Sequence, residues 1–146
     1  EDLYVTEADQ LPGIVRTQVD VVLPTGAAVL NADDPEVLAL AEFSDGEVLL
    51  YSLDAACAAL TAHRARKGRA VFARGDSLVR ALGGAVVPLI KLPGPVLRAI
   101  GGDGPHDARP HVLAAVAAAW ALGVPIDLIR AGLLHFGESQ PARAVH

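Results

Sequence analysis

The sequence predicts an α/β fold: a mostly parallel sheet with flanking helices and a small β-hairpin region. Three observations carry that expectation. An apolar run, Ala27–Leu30, is followed by a helix-forming span and a second apolar run, Glu47–Leu53. Strand, helix and strand joined by short turns make a parallel crossover. Two further strand-like runs, Arg69–Arg74 and Ser77–Leu82, flank Gly75-Asp76, a hairpin turn. The Ala-rich span Pro110–Leu122 has the highest helix propensity in the chain.

Each element has a local cause. In Gln10–Leu23, apolar Leu11, Ile14, Val15, Val19, Val22 and Leu23 recur at gaps of three and four, an amphipathic helical spacing. Pro24-Thr25-Gly26 breaks it. After Ala27–Leu30 come Asn31-Ala32-Asp33-Asp34-Pro35. Asp33 or Asp34 can cap a helix, and Pro35 suits its first position, so a helix is expected over Pro35–Phe43. Asp45-Gly46 turns the chain into the second strand. Ala55–Lys67 reads as a helix, with Gly68 as its C-terminal cap. Gly83-Gly84 turns the hairpin into a last strand, Ala85–Leu92. Pro93–Arg109 is broken by Pro and Gly and is expected to be a flexible loop. Gly123 ends the Ala-rich helix, and Pro125 starts another that runs to Phe136. A frayed tail is expected over 137–146.

The chain has 146 residues, which predicts one domain over 1–146. Hydrophobic residues make up 52% and charged residues 20%, which excludes a disordered chain. The net charge of −5 argues against a nucleic-acid partner. The one basic run, His63-Arg64-Ala65-Arg66-Lys67 with Arg69, reads as a solvated helix end. No apolar run reaches about 18 residues, so no membrane partner is expected. A single cysteine, Cys57, excludes an internal disulfide, and a cytoplasmic location is expected. The sequence contains no Met, as expected of a chain that begins inside a longer reading frame or follows a removed tag.

Few residues could carry chemistry. Asp33 and Asp34 follow a strand, and α/β proteins bind ligands beyond the carboxyl ends of strands. The same residues also make a helix start with no ligand at all. His63, His106, His111 and His135 show no H-x-x-x-H or C-x-x-C spacing, so no metal site is expected, although His106, Asp107 and His111 could converge on one. No serine sits in a G-x-S-x-G elbow.

The stretch RTQVDVVLPTGAAVLNADDPEVLALA, with VLNADDP after a Gly-Ala-Ala strand entry, resembles cyanophycin synthetase and the central domain of Mur ligases. HVLAAVAAAWALGVPIDLIRAGLLHF resembles the helix pair that ends that domain. The likeness covers most of residues 9–137 and is specific at its two ends. It implies a partial Mur-ligase-like central domain, with Asn31, Asp33, Asp34 and His111 on the adenine side of a nucleotide cleft. It also implies ATP-dependent amide-bond formation through an acyl phosphate, with ATP and Mg²⁺ as cofactors of the parent family.

Three departures limit that implication. Phosphoryl transfer needs a cradle of the form G-x-x-x-x-G-K-[ST], and none is present. The only lysines are Lys67 and Lys91, neither of which follows a glycine loop, and Gly101-Gly102-Asp103-Gly104 lacks Lys and Ser/Thr. Pro110-His111 stands where the family carries Glu-Asn, and Pro141-Ala142-Arg143-Ala144 where it carries Pro-Gly-Arg-Phe before a final domain. The expectation is therefore a fragment resembling the ligase, inactive alone, that binds neither ATP nor Mg²⁺ tightly. Its partner would be the remainder of a larger ligase. The alternative is a stand-alone interaction or self-associating module, followed by an unrelated small enzyme built on the 93–109 loop.

Overall fold

The computed structural model describes residues 16–91 and 109–139. Five strands form one sheet in the order β1-β2-β3-β4-β5: Ala27–Asn31, Glu47–Ser52, Arg69–Arg74, Ser77–Leu82 and Ala85–Lys91. β1, β2 and β3 are parallel neighbours, and β4 is antiparallel to both β3 and β5. Only β4 is reversed, so four strands run one way, as the α/β reading expects. The hairpin is not a separate region but continues the same sheet. Gly75 and Gly83 take φ of +60° and +58° at the first positions of its two turns, a conformation glycine adopts without a Cβ clash.

Helices cover both faces. On one face lie α1 (Pro35–Leu38), a 3₁₀ turn (Ala39–Phe43), α2 (Ala58–Ala65) and helical residues 16–20. Leu30, Leu50, Ala70, Phe72, Val79 and Leu60 form the core there. On the other lie α3 (Arg109–Ala121) and α4 (Ile126–Ser139). Their Leu113, Val116, Ala117 and Ile129 pack on Leu49, Val71, Leu78 and Leu89. Consecutive strand residues alternate between these cores, the period of two that a pleated strand imposes.

Several boundaries differ from expectation for local reasons. The span Pro35–Phe43 is α-helical only to Leu38 and then tightens to 3₁₀. α2 starts at Ala58 instead of Ala55, because the Asp54 carboxylate accepts from Ala56 N at 2.9 Å and holds a turn. Its left-handed terminating residue is Lys67, at φ +63°, not Gly68. The Gly68 N–H bonds His63 O at 2.9 Å and Lys67 N–H bonds Arg64 O at 2.9 Å, a Schellman closure. Gly68 is needed for space: a Cβ there would lie 2.5 Å from His63 Cε1. Gly123, at φ +82°, ends α3 as expected, with Val124 N–H on Ala119 O at 3.0 Å. α4 continues to Ser139, past the expected end at Phe136. Of the first expected helix, residues 10–15 lie outside the described residues, as do residues 93–108 of the loop and 140–146 of the tail.

Candidate functional site

The candidate residues gather at the carboxyl ends of β1 and β2. The register sets Asn31 beside Tyr51, and the chain leaves both strands at the same level. Ala32 N–H still bonds Tyr51 O at 2.8 Å, so the acidic turn begins locked to β2. Within the turn, Asn31 Oδ1 accepts from Asp33 N–H at 3.0 Å. Asp34 Oδ1 caps α1, accepting from the N–H groups of Glu36 at 3.0 Å and Val37 at 3.3 Å. Of the two possible caps, the structure uses Asp34.

Asp33 has a different task. Its Oδ1 accepts from the Ser52 hydroxyl at 2.5 Å and its Oδ2 from Leu53 N–H at 2.8 Å. Ser52 is fully buried, and its oxygen also accepts from Asp54 N–H at 2.9 Å. One carboxylate thus ties the end of β1 to the end of β2 over a separation of twenty residues. Ser52 and Asp54 are site residues that sequence reasoning passed over. The available signal was their place at and just beyond the end of the second parallel strand, the same structural position as Asn31–Asp34.

Tyr51 lies on the α3 side of the turn. Burial, then the nearby charges of Asp33 and Asp34, raise its phenol above its ordinary value. The turn is therefore an acceptor-rich, negatively charged corner. α3 reaches it from the other side. The carboxyl end of α3, at Ala118, Ala121 and Leu122, shares a cavity with Thr25, Gly26 and Ala27 at the amino end of β1. α3 therefore runs opposite to β1, and exposed His111, at its amino end, lies at the same end of the sheet as Asn31, Asp33 and Asp34. No hydrogen bond joins His111 to those three among the described residues. Asn31, Asp33 and Asp34 form one bonded unit, and His111 stands apart from it. Among the described residues no group of three or more His, Cys, Asp or Glu side chains could hold a metal ion. None of the described helices is long and apolar enough to cross a membrane.

The basic run is only partly a solvated helix end. His63 is half-buried, with Nε2 3.1 Å from Arg69 O. Arg64 Nε donates to Gly83 O at 3.2 Å. Arg69 makes a two-pronged pair with Glu47, both bonds at 2.6 Å, at the amino end of the sheet. Its guanidinium lies 4.8 Å from the Trp120 ring centroid, and that of Arg80 lies 5.0 Å away. The strand order brings these residues together; their spacing in sequence does not.

This cluster makes stability depend on pH. Burial, the largest influence, lowers the His63 pKa below its ordinary 6.5. Between its folded value and 6.5 the unfolded chain binds more protons, so stability falls as pH drops below 6.5. The hydrogen bond from Arg69 holds Glu47 below its ordinary 4.5, so its contribution is present above 4.5 and is lost at lower pH. Urea midpoints should therefore fall from pH 7.5 to pH 5.5, and His63→Gln should flatten that interval. An equal slope in the variant would remove His63 as the cause.

No family model matches the chain. It is 34% identical over 132 residues to the cyanophycin synthetase of Crocosphaera subtropica, covering 90% of this chain and 15% of that protein. It is 31% identical over 139 residues to the cyanophycin synthetase of a Synechocystis species, covering 92% and 16%. A UDP-N-acetylmuramoylalanine–D-glutamate ligase of Rhizobium johnstonii is 45% identical over 67 residues, covering 45% of this chain and 13% of the ligase. The chain thus spans about a sixth or less of the length of each of these relatives. Over nine-tenths of its own length it resembles a part of cyanophycin synthetase, and its α/β sheet fits the Mur-ligase type of domain that this likeness implies.

Proposed function

We propose that the chain forms the base-facing part of the nucleotide domain of an ATP-dependent amino-acid ligase, and that these 146 residues alone do not catalyse ligation. The supporting observation is the chemistry of the turn at the ends of β1 and β2. Asn31 Oδ1 and both Asp33 carboxylate oxygens already accept one bond each and Asp34 Oδ1 two, which leaves Asp34 Oδ2 as the acceptor turned to a ligand, and the turn holds no Lys or Arg. Such a corner suits the amino group of a base or the hydroxyls of a ribose, which donate. It repels a triphosphate, which is anionic and needs cations and backbone N–H groups around it. The residues therefore fit the base end of ATP and do not fit its phosphates. A G-x-x-x-x-G-K-[ST] cradle would have to come from outside these 146 residues.

Titration followed by amide NMR tests this reading. Adenosine and ATP with Mg²⁺ should both shift the amides of Asn31–Asp34, with ATP binding no more tightly than adenosine. Micromolar ATP affinity that depends on the triphosphate would overturn the claim that the cradle is missing. Shifts confined to other residues, or none at all, would overturn the base-facing role. A second reading, a self-associating module, draws on the edge of β1, beside which no strand lies among the described residues.

A further inference from the structure

Ser52 is the only buried polar side chain among the described residues. Its oxygen has three polar neighbours: Asp33 Oδ1 at 2.5 Å, Asp54 N at 2.9 Å and Asp54 O at 3.0 Å. The Asp54 N–H can only donate, so the hydroxyl accepts there. Its single proton then has two acceptors to choose between. Asp54 O already accepts from Cys57 N–H at 3.1 Å. Asp33 is closer and charged, and charge-assisted bonds are shorter and about twice as strong as neutral ones. The proton therefore goes to Asp33. The result is a one-way relay from Asp54 N–H through Ser52 to the Asp33 carboxylate.

The relay fixes the acidic turn from below. Asp33 Oδ2 accepts from Leu53 N–H, so both carboxylate oxygens are held by the end of β2. The Asp33 N–H donates in turn to Asn31 Oδ1, which sets the plane of the Asn31 amide. Asp34 Oδ1 is taken by the cap of α1. Two polar side-chain atoms of the turn are left with no bond to a described residue: Asn31 Nδ2, a donor, and Asp34 Oδ2, an acceptor.

We propose that Ser52 and Asp33 are a positioning pair for this turn: they set where Asn31 Nδ2 and Asp34 Oδ2 stand, and neither touches the ligand. The proposal rests on the base-facing reading and deepens it. Ser52 has no exposed surface, so it cannot reach a ligand. Loss of its hydroxyl would leave the turn tied to β2 by Ala32 N–H on Tyr51 O and by Asp33 on Leu53 N–H. The turn would stay attached but no longer be held in one setting. A ligand must then order the turn as it binds, and that cost lowers affinity although no contact is removed. Ser52 and Asp33 act through one shared bond, so their effects on binding overlap.

Adenosine titration followed by amide NMR tests the proposal, on the wild-type chain, Ser52→Ala, Asp33→Ala and the double variant. Each single variant should bind adenosine about threefold more weakly or worse. The double variant should bind no more weakly than Asp33→Ala alone. Ser52→Thr keeps the hydroxyl and should regain affinity over Ser52→Ala. Ile129→Val trims the core on the α3 and α4 face and should bind as wild type, which separates positioning from a general loss of stability. Ser52→Ala removes one oxygen, and with Ser52→Thr it decides the question if Asp33→Ala fails to fold. Unchanged affinity in Ser52→Ala overturns the proposal and leaves the base-facing reading standing. Additive losses in the double variant also overturn it, since Asp33 would then meet the ligand itself. A wild-type chain in which adenosine moves none of the Asn31–Asp34 amides removes the base-facing reading, and the proposal with it.

Discussion

Asp33→Ala is expected to destabilise the chain by about 2–3 kcal/mol, more than Asp34→Ala, although the residues are adjacent and chemically identical. Asp33 accepts from Ser52 Oγ and Leu53 N–H, two bonds that join separate strands. Bonds to a charged group contribute about 1.5–3 kcal/mol each. The loss is less than their sum because Ser52 Oγ lies 3.0 Å from Asp54 O and can turn to it, while Leu53 N–H can reach water. Asp34 caps a helix of only four residues, and losing such a cap costs typically about 1 kcal/mol. Urea unfolding of the two variants at one protein concentration measures the difference. Equal losses, or a larger one at Asp34, would show that the strand tie contributes little. An Asp33→Ala chain as stable as wild type would mean that the carboxylate is held for a ligand instead.

Phe72→Ala should have the largest effect of any substitution considered, a loss of about 3–5 kcal/mol. Phe72 is fully buried in the third of the five strands, in the core beneath α2. The guanidiniums of Arg64 and Arg74 lie 5.3 Å and 5.7 Å from its ring centroid. The core around it is built mostly of Ala, Val and Leu, and such close-packed side chains relax only partly into a cavity left behind. Domains of this size are stable by about 5–15 kcal/mol, so the variant should lose a large share of its stability. Leu82→Ala, at 55% exposure on β4, is the control and should change stability by less than about 0.5 kcal/mol. A Phe72→Ala chain whose urea midpoint matched the control would mean that this core is loosely packed.

Much of this was legible from residue order. The strand and helix order, the hairpin, the Gly123 stop and the capping chemistry of Asn-Ala-Asp-Asp-Pro follow from local causes: alternation, turn propensity and orphan N–H groups at a helix start. Boundaries were less legible. The start of α2 was delayed by the Asp54 turn, and Lys67 took the left-handed position while Gly68 left room for the His63 ring. Both depend on where a side chain goes after the chain has folded.

The sequence by itself determined the fold class, the family likeness and the acidic turn after β1. Those rest on contacts within a few residues and on patterns that repeat along the chain. Only the tertiary structure decided what each acidic residue does, because Asp33 finds Ser52 and Leu53 through parallel pairing of strands twenty residues apart. It also decided that Arg69 belongs to Glu47 and Trp120 rather than to a solvated helix end. That β1 and β5 stand at the two edges of the described sheet was likewise set by strand order. Strand order arises from long-range packing, and no local stretch of residues encodes it.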